Sequence, residues 1–119
     1  MAKIPLNKFR SLGYNITTTL SAIYTAPDER ASILVSAQVA NTTSDDVSVT
    51  CMLSSGRNTF VIVSAFPVPP SDARSLTTGR FVLQGFDGGS ITRPDVFLIS
   101  ANKPGAVLTL GILETVNRD

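Results

Sequence analysis

Few side chains in this sequence could do chemistry. The chain of 119 residues contains no histidine and a single cysteine, Cys51. Histidine is the commonest general base and a frequent metal ligand, so its absence excludes Ser-His-Asp and Cys-His catalytic sites within one chain. A lone cysteine forms no intrachain disulfide, and Cys51 falls on the apolar side of an alternating pattern. We therefore expect Cys51 to be a small buried hydrophobe.

The nine carboxylates are the main remaining groups for acid–base chemistry. Most of them stand beside turn residues, where aspartate is favoured for its local backbone hydrogen bonds: Asp28, Glu29, Asp45, Asp46, Asp72, Asp87, Asp95, Glu114 and Asp119. Asp45, Asp46 and Asp87 lack the spacing of a calcium-binding loop. Residues 85–90, GFDGGS, lack the Lys-Ser/Thr ending of a phosphate-binding loop. The sequence thus predicts a protein that is not an enzyme and has no metal site and no cofactor.

The balance of charge narrows the possible partners. Charged residues make up 16% of the chain, against about 25% in typical globular proteins. The net charge of +1 argues against a nucleic-acid-binding face. The longest apolar stretch, around residues 60–66, is far shorter than the roughly 20 residues of a membrane helix, and the first ten residues lack the apolar core of a secretory signal. We expect no nucleic acid and no membrane as partner, and synthesis in a cytoplasm.

Alternating apolar and polar residues predict strands. In residues 32–40 this alternation predicts one set of side chains inside and the other set outside. The predicted inward set is Ile33, Val35, Ala37 and Val39, and the outward set is Ser32, Leu34, Ser36 and Gln38. A polar turn follows, and the alternation resumes in residues 47–53. The inward set there is Val47, Val49, Cys51 and Leu53.

The whole chain follows this strand-and-turn pattern, with no amphipathic helix. The predicted strands lie at residues 15–26, 32–40, 47–53, 59–66, 74–77, 80–84, 95–101 and 106–116. Strands spaced by about 8–12 residues are typical of antiparallel sandwiches. The fold prediction is all-β: one antiparallel β-sandwich of seven to eight strands, jelly-roll-like, over residues 15–119. Residues 1–14, broken by Pro5 and Gly13, are predicted to form an extended N-terminal arm.

Two segments are candidates for contact with other proteins. Residues 59–66 are apolar at both odd and even positions, so both faces of the predicted strand are apolar. This pattern predicts a strand that is covered on both faces, by the core on one side and by another subunit on the other. The proline-rich turn that follows is expected to leave the sheet, and Phe66 before it belongs either to an interface or to the core. The candidate interface residues are Ile4, Leu6 and Phe9 in the arm, and Phe66, Pro67 and Pro69 at the proline turn.

The order of several motifs resembles a known group of proteins. IYTAPDERASILVSAQVANTTSDDVSVTCML is followed by FPVPPSDARSL, then by RFVLQ, and then by DVFLISANKPGAVLTLGILE. This order over about residues 20–115 resembles small accessory virion proteins of tailed bacteriophages, especially phages of aquatic bacteria. The motifs are structural turns and strand ends. PDER and GGSITRPD depart from the shorter glycine turns of that group, which affects loops that could contact a partner.

The resemblance implies a non-enzymatic β-sandwich that assembles on a virion in the host cytoplasm. The first interpretation is a capsid decoration or cement protein that docks on the major capsid protein and self-associates as a homo-oligomer, with a trimer as the first expectation. The alternative is a tail, neck, baseplate or fibre-attachment protein of the virion. A further alternative is a carbohydrate-binding β-sandwich for host attachment, for which Tyr14, Phe86 and Asp87 are the candidate residues.

Overall fold

The computed structural model describes residues 7–56, 58–76, 81–85 and 93–116. Within these ranges every regular element is a strand, and the strands form two antiparallel sheets packed face to face. The predicted all-β sandwich is confirmed, and its jelly-roll connectivity stays a prediction. The strands are β1 (Asn7–Asn15), β2 (Ser21–Thr25), β3 (Arg30–Asn41), β4 (Val47–Ser55), β5 (Asn58–Val68), β6 (Ala73–Ser75), β7 (Phe81–Gln84), β8 (Val96–Ala101) and β9 (Ala106–Val116).

Strands distant in the sequence lie side by side in both sheets. The five-stranded sheet has the order β1-β9-β3-β6, with β7 also paired to β3. The four-stranded sheet has the order β2-β8-β4-β5. The edges of the described sheets are therefore β1, β6 and β7 on one side of the sandwich, and β2 and β5 on the other.

The core lies between the two sheets, where alternate residues of each strand meet. Val47, Val49 and Cys51 of β4 are fully buried, as their alternation predicts, and Leu53 packs against the same cluster. The largest fully buried side chains come from both sheets: Phe97, Leu34, Leu83, Ile99, Leu108 and Leu110. Removing this apolar surface from water is the main force that holds the sheets together.

A β-bulge in β3 overturns the predicted inside and outside positions of its first half. The pairing of β3 with β9 shifts between Leu34 and Ser36, so Val35 is an extra residue without a partner on β9. Val35 and Ile33 were predicted to face inward, but both lie on the outer face, and Leu34 lies inside. One extra residue reverses the phase of a strand. The buried positions of β3 are Ser32, Leu34, Ala37, Val39 and Asn41.

The segment predicted as one strand over residues 15–26 is divided in the structure. Residues 16–20 are not in a strand, and the chain crosses there from β1 in one sheet to β2 in the other. A register shift between Ala22 and Tyr24 further interrupts the predicted alternation. Within this segment Ile16 and Tyr24 are buried and Leu20 is exposed.

The predicted arm includes a strand. Residues 1–6 lie outside the described residues, whereas residues 7–15 form β1, which pairs with β9 over its whole length. The predicted boundary after residue 14 falls one residue before the end of this strand. The arm segment lacked a clear period because β1 is an edge strand, whose outer side chains include Phe9 as well as small polar residues.

Charge introduced into the core is expected to unfold the sandwich. Val49 is fully buried between the sheets, so Val49→Asp would place an uncompensated carboxylate in an apolar environment. We expect a loss on the order of 4 kcal/mol in the free energy of unfolding, measured by urea denaturation. Ser54→Asp, on the outer face of the same strand, is the control and should cost little. Cooperative folding of Val49→Asp at normal stability would contradict the phase assigned to β4.

Candidate interaction surfaces

Cys51 and the carboxylates are the described groups that could take part in chemistry. Cys51, predicted to be a buried hydrophobe, is fully buried, and burial raises the pKa of its thiol to about 11. In residues 7–56, 58–76, 81–85 and 93–116, no group of three or more cysteine, aspartate or glutamate residues could hold a metal ion. No helix capable of crossing a membrane is found in the same ranges.

A buried polar cluster joins the two sheets around Glu114. The Glu114 carboxylate on β9 is almost completely enclosed, and its Oε2 accepts a hydrogen bond of 2.5 Å from the Tyr24 hydroxyl on β2. The Arg10 guanidinium on β1 donates to the same oxygen at 3.3 Å. The Tyr24 hydroxyl has one hydrogen, and it uses this hydrogen in the bond to Glu114. The hydroxyl of Ser32 on β3, 2.7 Å away, is therefore the donor in its hydrogen bond with Tyr24. One carboxylate thus connects strands of both sheets.

Burial and the hydrogen bond to Glu114 together raise the pKa of Tyr24 above its ordinary value. The phenol therefore keeps its proton and remains a donor to the carboxylate. The Glu114 carboxylate is enclosed and holds two donors, so the cluster has the character of a structural link between strands.

Asn41 closes the opposite end of the sandwich in a similar way. Its side-chain nitrogen donates to the backbone oxygens of Asp45 and Val68 at 2.7 and 3.0 Å, and its side-chain oxygen accepts from the backbone and hydroxyl groups of Thr43. The sequence at residues 41–43 matches the pattern of a glycan acceptor. The buried, fully used amide of Asn41 gives a structural reason for asparagine there instead.

An apolar row crosses the outer face of the five-stranded sheet. Phe9 pairs with Leu113, Leu113 pairs with Ile33, and Ile33 pairs with Val82. Phe9, Leu113, Ile33 and Val82, the Phe9 row, therefore stand side by side on four strands. Phe9 is 79% exposed and Val82 is 52% exposed. The bulged Val35, 44% exposed, lies next to this row.

The rest of that face is uncharged. The outward positions of β1, β9, β3, β6 and β7 in the described residues hold glycine, alanine, valine, serine, threonine, asparagine and glutamine, besides the Phe9 row. No aspartate, glutamate, lysine or arginine occupies an outward pairing position there. Depletion of charge is the compositional mark of the central part of a protein interface.

The four-stranded sheet is even poorer in charge, because its four strands contain no charged residue on either face. Ala22 pairs with Leu98, Leu98 pairs with Met52, and Met52 pairs with Val61. Ala22, Leu98, Met52 and Val61, the Val61 row, cross its outer face. Val61 is 57% exposed.

The edge strand β5 is partly covered by the core of its own chain, and the predicted cover of its other face by another subunit stays a prediction. Ile62, Val63 and Phe66 pack against the core, but Phe60 and Val61 are exposed. The pairing with β4 shifts twice along β5, which turns some of its apolar side chains outward.

The described members of the predicted interface set lie on two different sheets. Ile4 and Leu6 lie outside the described residues. Phe9 is on β1 of the five-stranded sheet, whereas Phe66 and Pro67 are in β5 of the other sheet and Pro69 follows β5. Pro67 was expected to leave the sheet but pairs with Ser48, which an edge strand permits because its unpaired side needs no donor. Phe66 is half-buried against the core, and Pro67 is exposed.

Of the Phe9 row, the sequence pattern indicates only Phe9 as a candidate interface residue. Ile33 was placed inside because the bulge is not visible in the alternation, and Val82 and Leu113 draw attention only when the strand pairing is known. Of the three carbohydrate-binding candidates, Tyr14 is half-buried against the core, while Phe86 and Asp87 lie outside the described residues.

The hydroxyl of Tyr24 is expected to stabilise the fold. Tyr24→Phe removes the donor to Glu114 and the acceptor for Ser32, and buried polar groups without a partner cost about 1–3 kcal/mol. We expect a loss of that size in the free energy of unfolding, measured by urea denaturation. Tyr14→Phe, whose hydroxyl takes no part in the cluster, should be near neutral. Equal stability of Tyr24→Phe and the unchanged protein would contradict the role of the cluster.

The buried thiol is expected to make the protein less stable in alkali. The pKa of Cys51 is about 11 in the folded chain, and about 8.5 in an unfolded one. Between these values the unfolded chain loses a proton that the folded chain keeps, so stability falls as pH rises. Cys51→Ala should remove about 2 kcal/mol of the decrease between pH 7.5 and pH 10, measured by urea denaturation at both pH values. An unchanged decrease in Cys51→Ala would contradict this assignment.

Comparisons with known proteins assign no family to this chain. No protein-family model, no curated protein and no solved structure gives a significant match. The uncharged outer faces and their apolar rows are therefore the features on which a functional proposal can be based.

Proposed function

We propose that this chain is a non-enzymatic structural protein of a tailed-bacteriophage virion, which docks on the particle and self-associates. The first placement that we propose is the capsid surface, with the major capsid protein as the partner, and the alternative is the tail, neck, baseplate or fibre attachment. The motif order supports the class of protein. The observation that carries the proposal is the uncharged outer face of each sheet, crossed by an apolar row.

The mechanism that we propose is passive and depends on the rigidity of the sandwich. Both sheets present exposed apolar side chains, Phe9 and Val82 on one and Val61 on the other. Burying such anchors against a neighbour supplies most of the binding energy of an interface, while the surrounding neutral residues exclude water. Charged residues would have to be desolvated or paired on docking, and these faces contain none in the described pairing positions.

Repetition on a symmetric particle increases the strength of weak contacts. A subunit that touches both the particle and a neighbouring subunit has its second contact formed at high effective concentration. Individual contacts of modest area therefore suffice for stable attachment.

The copy number in purified virions tests the class and the placement together. Quantitative mass spectrometry of virions from the phage that encodes this chain should detect it as a stoichiometric component. Hundreds of copies per particle indicate the capsid surface, and on the order of ten copies, as in a ring or collar, indicate the tail or neck. Absence from purified virions would overturn the proposal.

A charge on the Phe9 row is expected to weaken docking without affecting the fold. Val82 is 52% exposed, so Val82→Glu should leave the free energy of unfolding nearly unchanged. The new carboxylate would have to be desolvated on docking, so we expect at least about tenfold weaker binding to particles that lack the protein, measured by co-sedimentation. Ser44→Glu, in the exposed turn between β3 and β4 and away from both outer faces, is the control. Equal binding of Val82→Glu and Ser44→Glu would exclude the Phe9 row from the docking surface.

A further inference from the structure

We propose that two copies of this chain pair through the free edge of β1, in antiparallel orientation, about a two-fold axis that passes through Ser11. The inference deepens the proposed function, on whose self-association it rests, because it names the partner as a second copy and gives the register.

β1 is the most regular edge among the described strands. Its nine residues pair with β9 without a register shift. β5 is longer, but its pairing shifts twice, Ala65 has a positive φ of 51°, and Pro67 has no N–H to donate. β2 has five residues and a shift, and β6 and β7 have three and four residues. Bulges, prolines and short length are the means by which edges avoid pairing, and β1 has none of these.

A two-fold axis at Ser11 is the register that uses the whole strand. It places residues 7–15 of one copy opposite residues 15–7 of the other, so that residues on the outer face meet residues on the outer face. An axis at Arg10 would place two arginines directly opposite each other, which is unfavourable. An axis at Leu12 would leave the first two residues of β1 unpaired. With the axis at Ser11, no two like charges are opposite.

This register places Phe9 opposite Gly13 of the second copy, twice by symmetry. Phe9 is the most exposed large apolar side chain described, at 79%. Gly13 is exposed on the same outer face, and a Cβ there would meet no atom closer than a backbone oxygen at 4.0 Å. The glycine thus leaves space for the aromatic ring, and an aromatic residue across from an edge glycine is a recognised stabilising pair in sheets.

The charges of β1 do not oppose the pairing. Charged residues, especially lysine, protect many edges from pairing. The guanidinium of Arg10 is bonded to the Glu114 carboxylate, so its charge is already compensated. Lys8 would lie opposite Tyr14, over whose ring its aliphatic part can pack while the ammonium group stays in water.

The pairing would join the two five-stranded sheets into one continuous sheet. The uncharged outer faces of the two copies, each with its Phe9 row, would then form one docking surface of twice the area. In such a pair the edge hydrogen-bonding groups of β1 are all used by two chains, and none is left for a third chain. We therefore propose a two-fold dimer in place of the trimer expected from the sequence.

Cysteine cross-linking tests the position of the axis. Ser11→Cys would place two thiols directly opposite each other, at a separation that a disulfide can span, so oxidation should give a covalent dimer. Ser36→Cys is the control, because Ser36 is exposed on the same outer face but on β3, two strands from the edge. Cys51 is buried in both variants. Cross-linking of Ser36→Cys at an equal yield, or none of Ser11→Cys, would overturn the register.

Sedimentation equilibrium of the purified chain tests the role of Phe9. The unchanged protein should be a dimer at micromolar concentrations, and Phe9→Ser should weaken the dimer about tenfold, since it removes two aromatic pairs. Val82→Ser, at the other end of the Phe9 row, should leave the dimer unchanged. A monomer or a trimer of the unchanged protein overturns the inference, and so does a Phe9→Ser dimer of undiminished strength.

These results are independent of the virion. A dimer with the expected cross-link that is absent from particles supports the inference and overturns the proposed function. A chain that is a stoichiometric virion component but a monomer in solution supports the proposed function and overturns the inference.

Discussion

The structure depends on how one buried carboxylate is satisfied. Glu114 is enclosed between the sheets, where an ionised carboxylate without donors would be strongly destabilising. Tyr24 from the other sheet and Arg10 from the edge strand supply these donors. The cluster therefore fixes the two sheets relative to each other, and it also holds β1 against the sandwich. The position of Phe9 on the outer face follows from this attachment, because Phe9 and Arg10 are neighbours on opposite sides of the same strand.

Charged residues are unevenly distributed over the surface of the molecule. The strands of the four-stranded sheet contain no charged residue, and the described charges lie mainly in turns and at the ends of the sandwich. A protein that functions as an isolated molecule gains solubility from charges spread over its surface. Here the outward pairing positions of the described strands lack them, whereas the turns are polar and charged. This arrangement suits a subunit whose faces meet neighbours and whose ends meet water.

Buried positions could be predicted from the sequence where apolar and polar residues alternate regularly within one strand. β4 shows this, since Val47, Val49 and Cys51 are buried as predicted. The sequence was insufficient where an extra residue reverses the phase, as at Val35, and where a strand is defined by a distant partner, as with β1 and β9. The Phe9 row could not be predicted because its members are far apart in the chain, 24 to 49 residues from one member to the next. Only the pairing of the strands brings them together.

The bulge at Val35 also affects how this protein can be compared with others. A protein with the same sandwich but a regular third strand would have one residue fewer there. An alignment without a gap would then match buried positions of one chain to outward positions of the other, over half the strand. Matches would be weakened in a region that contributes the buried Ser32 and Leu34 to the core. Allowing a single-residue gap inside this strand, where gaps are usually penalised, would restore the correspondence and make distant relatives easier to detect.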